Sequence, residues 1–349
     1  HNRKVKFCIK NKQYLCLYLP QLGNDRLKIL CIPLITCQKT NILILRSVKT
    51  QRLATQPLSS IERKMRALVI LSLLCVQGAW SLPKAGEVYT GWHEKVGIKI
   101  AQQIRQHEVV HSHSPIVGGH VASVNAHPYL AGLLINVWGL SSPSACGGSI
   151  LTSTRILTAA HCWNDGRFQA WRFEVVLGSA FLFHGGLRIM TSSIALHPNY
   201  DHRTFANDIA MSYLPVHIPF NNQIRPIKLP FGPFLNFDYT GSWALASGYG
   251  RYSDSSKPTT NTMVRNVILQ VISLEQCRRV YGSHIILDSN LCTNGGGGVG
   301  ICQGDSGGPL TIFSGGQEIL LGVSSFVAYD GCELGHPSAF AITLGESLL

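Results

Sequence analysis

Acidic side chains are scarce in this chain: its 349 residues hold 18 Asp and Glu against 30 Lys and Arg, a formal charge of +12. Such an excess would suit a nucleic-acid or membrane-surface partner, but its distribution removes that inference. Residues 1–64 hold 13 basic against 2 acidic residues, whereas from Ile116 onward 12 basic face 13 acidic. The run from Ala67 to Val76 is short for the roughly 20 apolar residues of a membrane span. Gly295-Gly296-Gly297-Gly298 lacks the following Gly-Lys-Ser/Thr of a phosphate loop and reads as a surface loop. No Asn-X-Ser/Thr acceptor occurs from residue 116 on, and no cysteine spacing fits zinc.

The chain begins with His1, and a start-like Met65 stands at the head of Met65-Arg66-Ala67-Leu68-Val69-Ile70-Leu71-Ser72-Leu73-Leu74-Cys75-Val76. A short basic end, a brief apolar run and then Ala79-Trp80-Ser81 fit a secretory signal with small residues at its cleavage site. The organisation expected is therefore a leader at 1–64, without clear periodicity and read as translated upstream sequence, a signal peptide at 65–81 and a propeptide at 82–115. The alternative for the leader is a basic interaction tail, or an anchor around 65–76. Residues 82–115 are polar and cysteine-free, so nothing covalent would hold them after cleavage.

Six cysteines remain from 116 on: Cys146, Cys162, Cys277, Cys292, Cys302 and Cys332. An even set fits an oxidising compartment but permits 15 pairings. Short apolar runs, at Tyr129–Ile135, Phe173–Gly178, Val267–Ile272 and Ile319–Val323, are broken by Gly, Pro, Asn and Ser, which points to an all-β barrel or sandwich.

The chemistry sits in four separated segments: Ile116-Val117-Gly118-Gly119, Thr158-Ala159-Ala160-His161-Cys162, Asp208-Ile209-Ala210-Met211 and Gly304-Asp305-Ser306-Gly307-Gly308-Pro309. A serine hydroxyl attacks a carbonyl only if a base takes its proton. A histidine such as His161 suits that task, and a carboxylate such as Asp208 can hold the ring in the right tautomer. A glycine at 304 lets the backbone come close to a substrate carbonyl. Together these segments resemble the chymotrypsin-like (trypsin-fold) family of secreted serine proteases, most nearly the arthropod digestive chymotrypsin and elastase-like enzymes.

The resemblance implies two six-stranded antiparallel Greek-key barrels, at about 116–230 and 231–349, with the active site in the cleft between them. It makes His161, Asp208 and Ser306 the catalytic triad and the amides of Gly304 and Ser306 the oxyanion donors. It pairs Cys146 with Cys162, Cys277 with Cys292 and Cys302 with Cys332. It also implies activation by cleavage before Ile116, whose freed amine pairs with Asp305. Pro115 would resist a trypsin-like activator, and cutting at Arg105, the nearest upstream basic residue, would leave residues 106–115 on Ile116. At the other end, relatives close the second barrel with a tryptophan-bearing helix, whereas this chain reads Ile342-Thr343-Leu344-Gly345-Glu346-Ser347-Leu348-Leu349.

The implied substrate pocket comprises Gly300, Gln303, Ser325, Val327 and Ser338. Gly300 stands where trypsin-like relatives carry an aspartate, and Val327 and Ser338 replace wall glycines, so small aliphatic side chains are expected to enter. The resulting expectation is a secreted, monomeric, extracellular endopeptidase, for example of a gut lumen. Its partners would be polypeptide substrates, an activating protease and protein inhibitors, with no nucleic acid, membrane, metal or cofactor. The alternative is a secreted non-catalytic serine protease homologue that binds partners.

Overall fold

The computed structural model describes residues 91–111, 124–251, 254 and 264–343, together with the strands between residues 6 and 44. These fall into two units, His1–Gly78 and Ala79–Leu349. In the first, β1 (Lys6–Lys10), β2 (Tyr14–Leu19) and β3 (Lys28–Pro33) form an antiparallel meander, and β4 (Ile35–Thr36) pairs with β5 (Leu43–Ile44). The sequence reading saw no period there. Short β-prone runs such as Tyr14-Leu15-Cys16-Leu17-Tyr18-Leu19 suffice for local hairpins. The signal segment, Pro115, Ile116-Val117-Gly118-Gly119 and residues 344–349 lie outside the described residues.

The second unit carries two antiparallel β systems. The first orders its strands β10-β9-β6-β7-β8-β12-β11, where β6 is Leu130–Val137, β7 Ser144–Thr152, β8 Arg155–Thr158, β9 Ala170–Leu177, β10 Leu187–Thr191, β11 Ser193–Leu196 and β12 Ala210–Tyr213. Seven strands replace the expected six because one ribbon bends at Ser192, pairing β9 with its first half and β12 with its second. The two edges of the sheet thus belong to consecutive stretches of chain. The second system is a closed barrel, β13-β14-β15-β18-β17-β16, built from β13 (Trp243–Gly248), β14 (Arg265–Ile272), β15 (Asn290–Thr293), β16 (Pro309–Ser314), β17 (Gln317–Phe326) and β18 (Ser338–Ile342). Placing β6 beside β9, and β15 beside β18, gives each system the Greek-key return.

The apolar runs read from the sequence fall on β6, β9, β14 and β17. Leu133, Ile135, Ile150, Ile156, Leu157, Phe173 and Leu177 are fully buried in the first core, and Leu310, Leu321 and Phe340 in the second. Each such side chain contributes about 1.5–3 kcal/mol. Disulfides Cys146–Cys162, Cys277–Cys292 and Cys302–Cys332 are formed.

Helices are few. A π-helical turn, His93–Gly97, runs into α1 (Ile98–His111), and α2 (Leu274–Tyr281) starts with a Ser273/Gln276 capping box. Where the sequence reading expected only a polar propeptide, the π turn and α1 bury Trp92, His93, Val96, Ile100, Ala101, Ile104 and Glu108. No helix among the described residues is long and apolar enough to cross a membrane.

Candidate active site

Antiparallel pairing of β8 with β12 sets Thr158 opposite Ala210. The chain leaving β8 and the chain entering β12 therefore emerge at the same sheet end, which brings His161 and Asp208 together across 47 residues of sequence. The His161 ring Nδ1 lies 2.7 Å from Asp208 Oδ2, and the His161 amide donates to Oδ1 at 2.8 Å. Ser325 Oγ donates to Oδ2 at 2.6 Å. Both His161 and Asp208 are fully buried, so the carboxylate is held by three donors in a site closed to water. The Phe205 ring stacks on His161 at 5.1 Å, from a backbone at φ 56.

Ser306 precedes β16 and is tied to both β systems. Its carbonyl accepts from Gly147 N at 2.7 Å, and the flanking Gly307 N donates to Ser324 O at 2.7 Å. Gly307 has φ +80, and a Cβ there would fall 2.3 Å from Thr158 Oγ1 and 2.4 Å from Gly147 O, so only glycine fits. Gly304 is likewise left-handed at φ +99. Among the described residues Ser306 Oγ has no hydrogen bond to His161. The ring is instead met edge-on by Trp92, 4.8 Å between centroids.

Asp305 turns away from Ser306 into the second barrel. Its carboxylate accepts from Gly250 N at 2.8 Å and Cys302 N at 2.9 Å. Burial pushes its pKa from 3.8 up to about 6, against the pull of those two amides. Beside it lies a cavity of about 400 Å³ lined by Ser247, Gly248, Gly250, Val299, Gly300 and Ile301, among others.

Of the expected pocket residues, Gly300 and Ser338 meet: a Cβ on Gly300 would lie 2.7 Å from Ser338 Oγ, which also accepts from Ile301 N at 3.2 Å. Tyr281 of α2 anchors this wall by donating to Pro337 O. Val327 packs against the second core, which includes Ile301. Gln303 turns to Arg251, whose Nη1 donates to its Oε1 at 3.1 Å. Among the described residues, the two groupings with three candidate metal-ligand atoms, Cys146/His161/Cys162 and Asp254/Cys302/Cys332, each rest on disulfide sulfurs, so neither offers a free thiolate.

The trypsin family profile matches residues 116–346. The chain belongs to the trypsin family. Similar relatives are a collagenase of Hypoderma lineatum, 34% identical over 65% of this chain and 82% of that protein, and brachyurin of Leptuca pugilator, 35% identical over 64% and 92%. A solved structure of HL collagenase superposes with a TM-score of 0.58 at 34% identity, covering 65% of this trypsin-family chain and 94% of the other. The family membership makes the chain a serine-type endopeptidase, with polypeptides as substrates.

Sequence reasoning missed the site neighbours Trp92, Ile100 and Phe205. The spacing Trp92, Val96, Ile100, Ile104, Glu108 was the available signal, since residues four apart share a helix face.

Proposed function

We propose that Ser306 is the acylated nucleophile of this endopeptidase, with His161 as general base and Asp208 orienting it. The carrying observation is the convergence of His161, Asp208 and Ser325 in one dry hydrogen-bonded cluster, fastened to the Ser306 loop through Gly147 and Ser324. The base takes the hydroxyl proton during attack and returns it to the leaving amine, while Asp208 stabilises the imidazolium. Amides at Gly304 and Ser306 would receive the oxyanion. An organophosphonate should label the chain cut before Ile116 stoichiometrically and at Ser306; label on another residue would reject the assignment. Secretion to an extracellular space follows from the signal-like segment and the three disulfides, and a digestive role from the similarity to gut enzymes.

Activation in this reading requires the Ile116 amine to reach Asp305. In the uncut chain the buried carboxylate has two amide partners and no cation among the described residues. A carboxyl raised above its unfolded value stabilises the fold in acid, fully below about 3.8, and that contribution is lost as pH rises through about 6. Asp305→Asn in the uncut chain should therefore raise stability at pH 7 by about 1–2 kcal/mol and flatten the pH dependence of Tm between these values. The same change should remove the activity gained on cutting. An uncut variant no more stable than its parent at pH 7 would contradict the account.

Specificity follows from Gly300, Val327 and Ser338. Ser338 Oγ and Cys332 O bound the space at a Gly300 Cβ, and among the described residues no carboxylate lies within 4 Å of that position, so an Arg or Lys side chain would meet no counter-ion at Gly300 itself. Cleavage after Ala, Val or Leu is expected to exceed cleavage after Phe, Tyr, Arg or Lys. Val327→Gly should raise the Phe-to-Ala ratio of kcat/KM by about tenfold or more. An unmodified enzyme that prefers Phe or Tyr on a matched peptide series would overturn this.

A further inference from the structure

The π turn and α1 bear on the site just assigned. Trp92, only 5% exposed, sets its ring edge against His161, so the base is enclosed between Trp92 and Phe205. Two turns on, Ile100 covers the nucleophile loop: a Cβ built on Gly304 would lie 2.7 Å from its Cγ2 methyl. Between them Gly97 brings the helix backbone onto β7, where a Cβ would sit 1.9 Å from Ser144 Oγ. A substrate carbonyl approaching Ser306 next to Gly304 would meet the space held by Ile100, and the proton path through His161 ends at an indole.

Polar contacts fix the helix at both ends. The His93 amide donates to Asp165 Oδ2 at 2.8 Å, and Glu94 pairs with Arg167 at 2.9 Å on the surface. Gln102 Nε2 donates to Ser142 Oγ at 3.3 Å. At the far end the buried Glu108 carboxylate accepts from Leu182 N at 2.6 Å and Phe183 N at 2.8 Å, and lies 2.9 Å from His184 Nδ1. One face thus carries an apolar anchor at each turn, closed by a carboxylate on two backbone amides, the form of a helix laid into a groove. The fit is incomplete: both ring nitrogens of His93 and Ser144 Oγ are buried without a hydrogen-bond partner among the described residues. Such unpaired groups weaken a complex, which suits a segment that has to leave.

We propose that the segment Trp92–Glu108 is an intramolecular inhibitor that occupies the catalytic cleft, and that it stays bound as a competitive inhibitor after the chain is cut before Ile116. The inference rests on the triad reading above. It changes what cleavage does: cutting frees the Ile116 amine, but activity appears only when the helix dissociates or is degraded.

The test uses the full chain with residues 112–115 replaced by the recognition sequence of a site-specific protease that cuts immediately before Ile116. After cutting, with both pieces left in solution, phosphonate labelling of Ser306 is expected to be slow and to accelerate on dilution, as release of a separate piece requires. The same chain with Trp92→Ala and Ile100→Ala should label about 10- to 100-fold faster at the same concentration. A synthetic peptide of residues 91–111 added to that cut variant should restore inhibition, raising the apparent KM without changing kcat. A peptide carrying both alanines should not. Labelling that is immediate, independent of dilution and unmoved by the peptide overturns the proposal. Should the double variant fail to fold, the dilution and peptide arms on the parent chain decide the matter alone. A fluorescent 91–111 peptide that binds the cut chain while no serine labels at any dilution rejects the triad reading and leaves the helix contact standing; labelling without peptide binding rejects the inhibitor alone.

Discussion

Ser306→Ala, in the chain cut before Ile116 and freed of its pro-segment, is expected to lose peptide hydrolysis by at least about 10⁴-fold in kcat while leaving the fold and KM nearly unchanged. In the proposed mechanism the loss is large because the Ser306 hydroxyl forms the acyl bond, and His161 and the backbone donors would act on that same step without substituting for it. The fold should survive because what ties the loop is backbone. Gly147 N to Ser306 O and Gly307 N to Ser324 O persist in the alanine variant, and no hydrogen bond to the Ser306 hydroxyl is present among the described residues. Burst titration with an activated ester, alongside thermal unfolding, separates the two effects. Full turnover by the alanine variant would remove Ser306 from the mechanism.

Asp208→Asn should cost about 10⁴-fold in kcat with little change in substrate binding, the scale seen when the orienting carboxylate of such a triad loses its charge. Asp208 receives only donors: the His161 ring and amide, and the Ser325 hydroxyl. An asparagine offers one acceptor oxygen and one NH₂, so the nitrogen must face a donor or the ring must change tautomer. A changed tautomer places a proton on the nitrogen that should accept from Ser306. Leaving a buried donor unmatched also costs about 1–3 kcal/mol, so a lower Tm is expected. Ser325→Ala removes one donor, keeps the charge and the tautomer, and should cost far less in kcat. Measuring both variants for kcat and Tm distinguishes orientation of the base from simple loss of packing: equal losses in the two would contradict the role given to Asp208.

How much of this was legible before folding differs by element. β6 and β17 were readable as apolar runs because they are buried on both faces, and β9 and β14, each partly exposed on one face, because their apolar and β-branched residues favour strands. The bend at Ser192 was not, because nothing in Thr191-Ser192-Ser193 marks a break; the break follows from one half pairing with β9 and the other with β12. The pro-segment was read as polar because Lys, Arg, Glu, Gln and His side chains interrupt its apolar ones throughout. Its apolar residues are nonetheless four apart, so the helix face was in the sequence and its destination was not.

The sequence by itself determined the chemical kit: a serine between Asp305 and Gly307, a histidine beside Cys162, Asp208 before a β-prone run, and the six cysteines from residue 116 on in the order in which they come. Those are properties of residue type and local spacing, and they persist in any conformation of the chain. Only the tertiary structure decided which of them meet. His161 reaches Asp208 because β8 and β12 pair antiparallel, Ser325 joins them from the other barrel, and Trp92 lies on His161 because residues 92–108 bury one helix face against strands and loops between 142 and 304. Contacts of that range depend on loop closure and on surfaces assembled from distant strands, and no local pattern of residues encodes the shape of a groove that several strands build together.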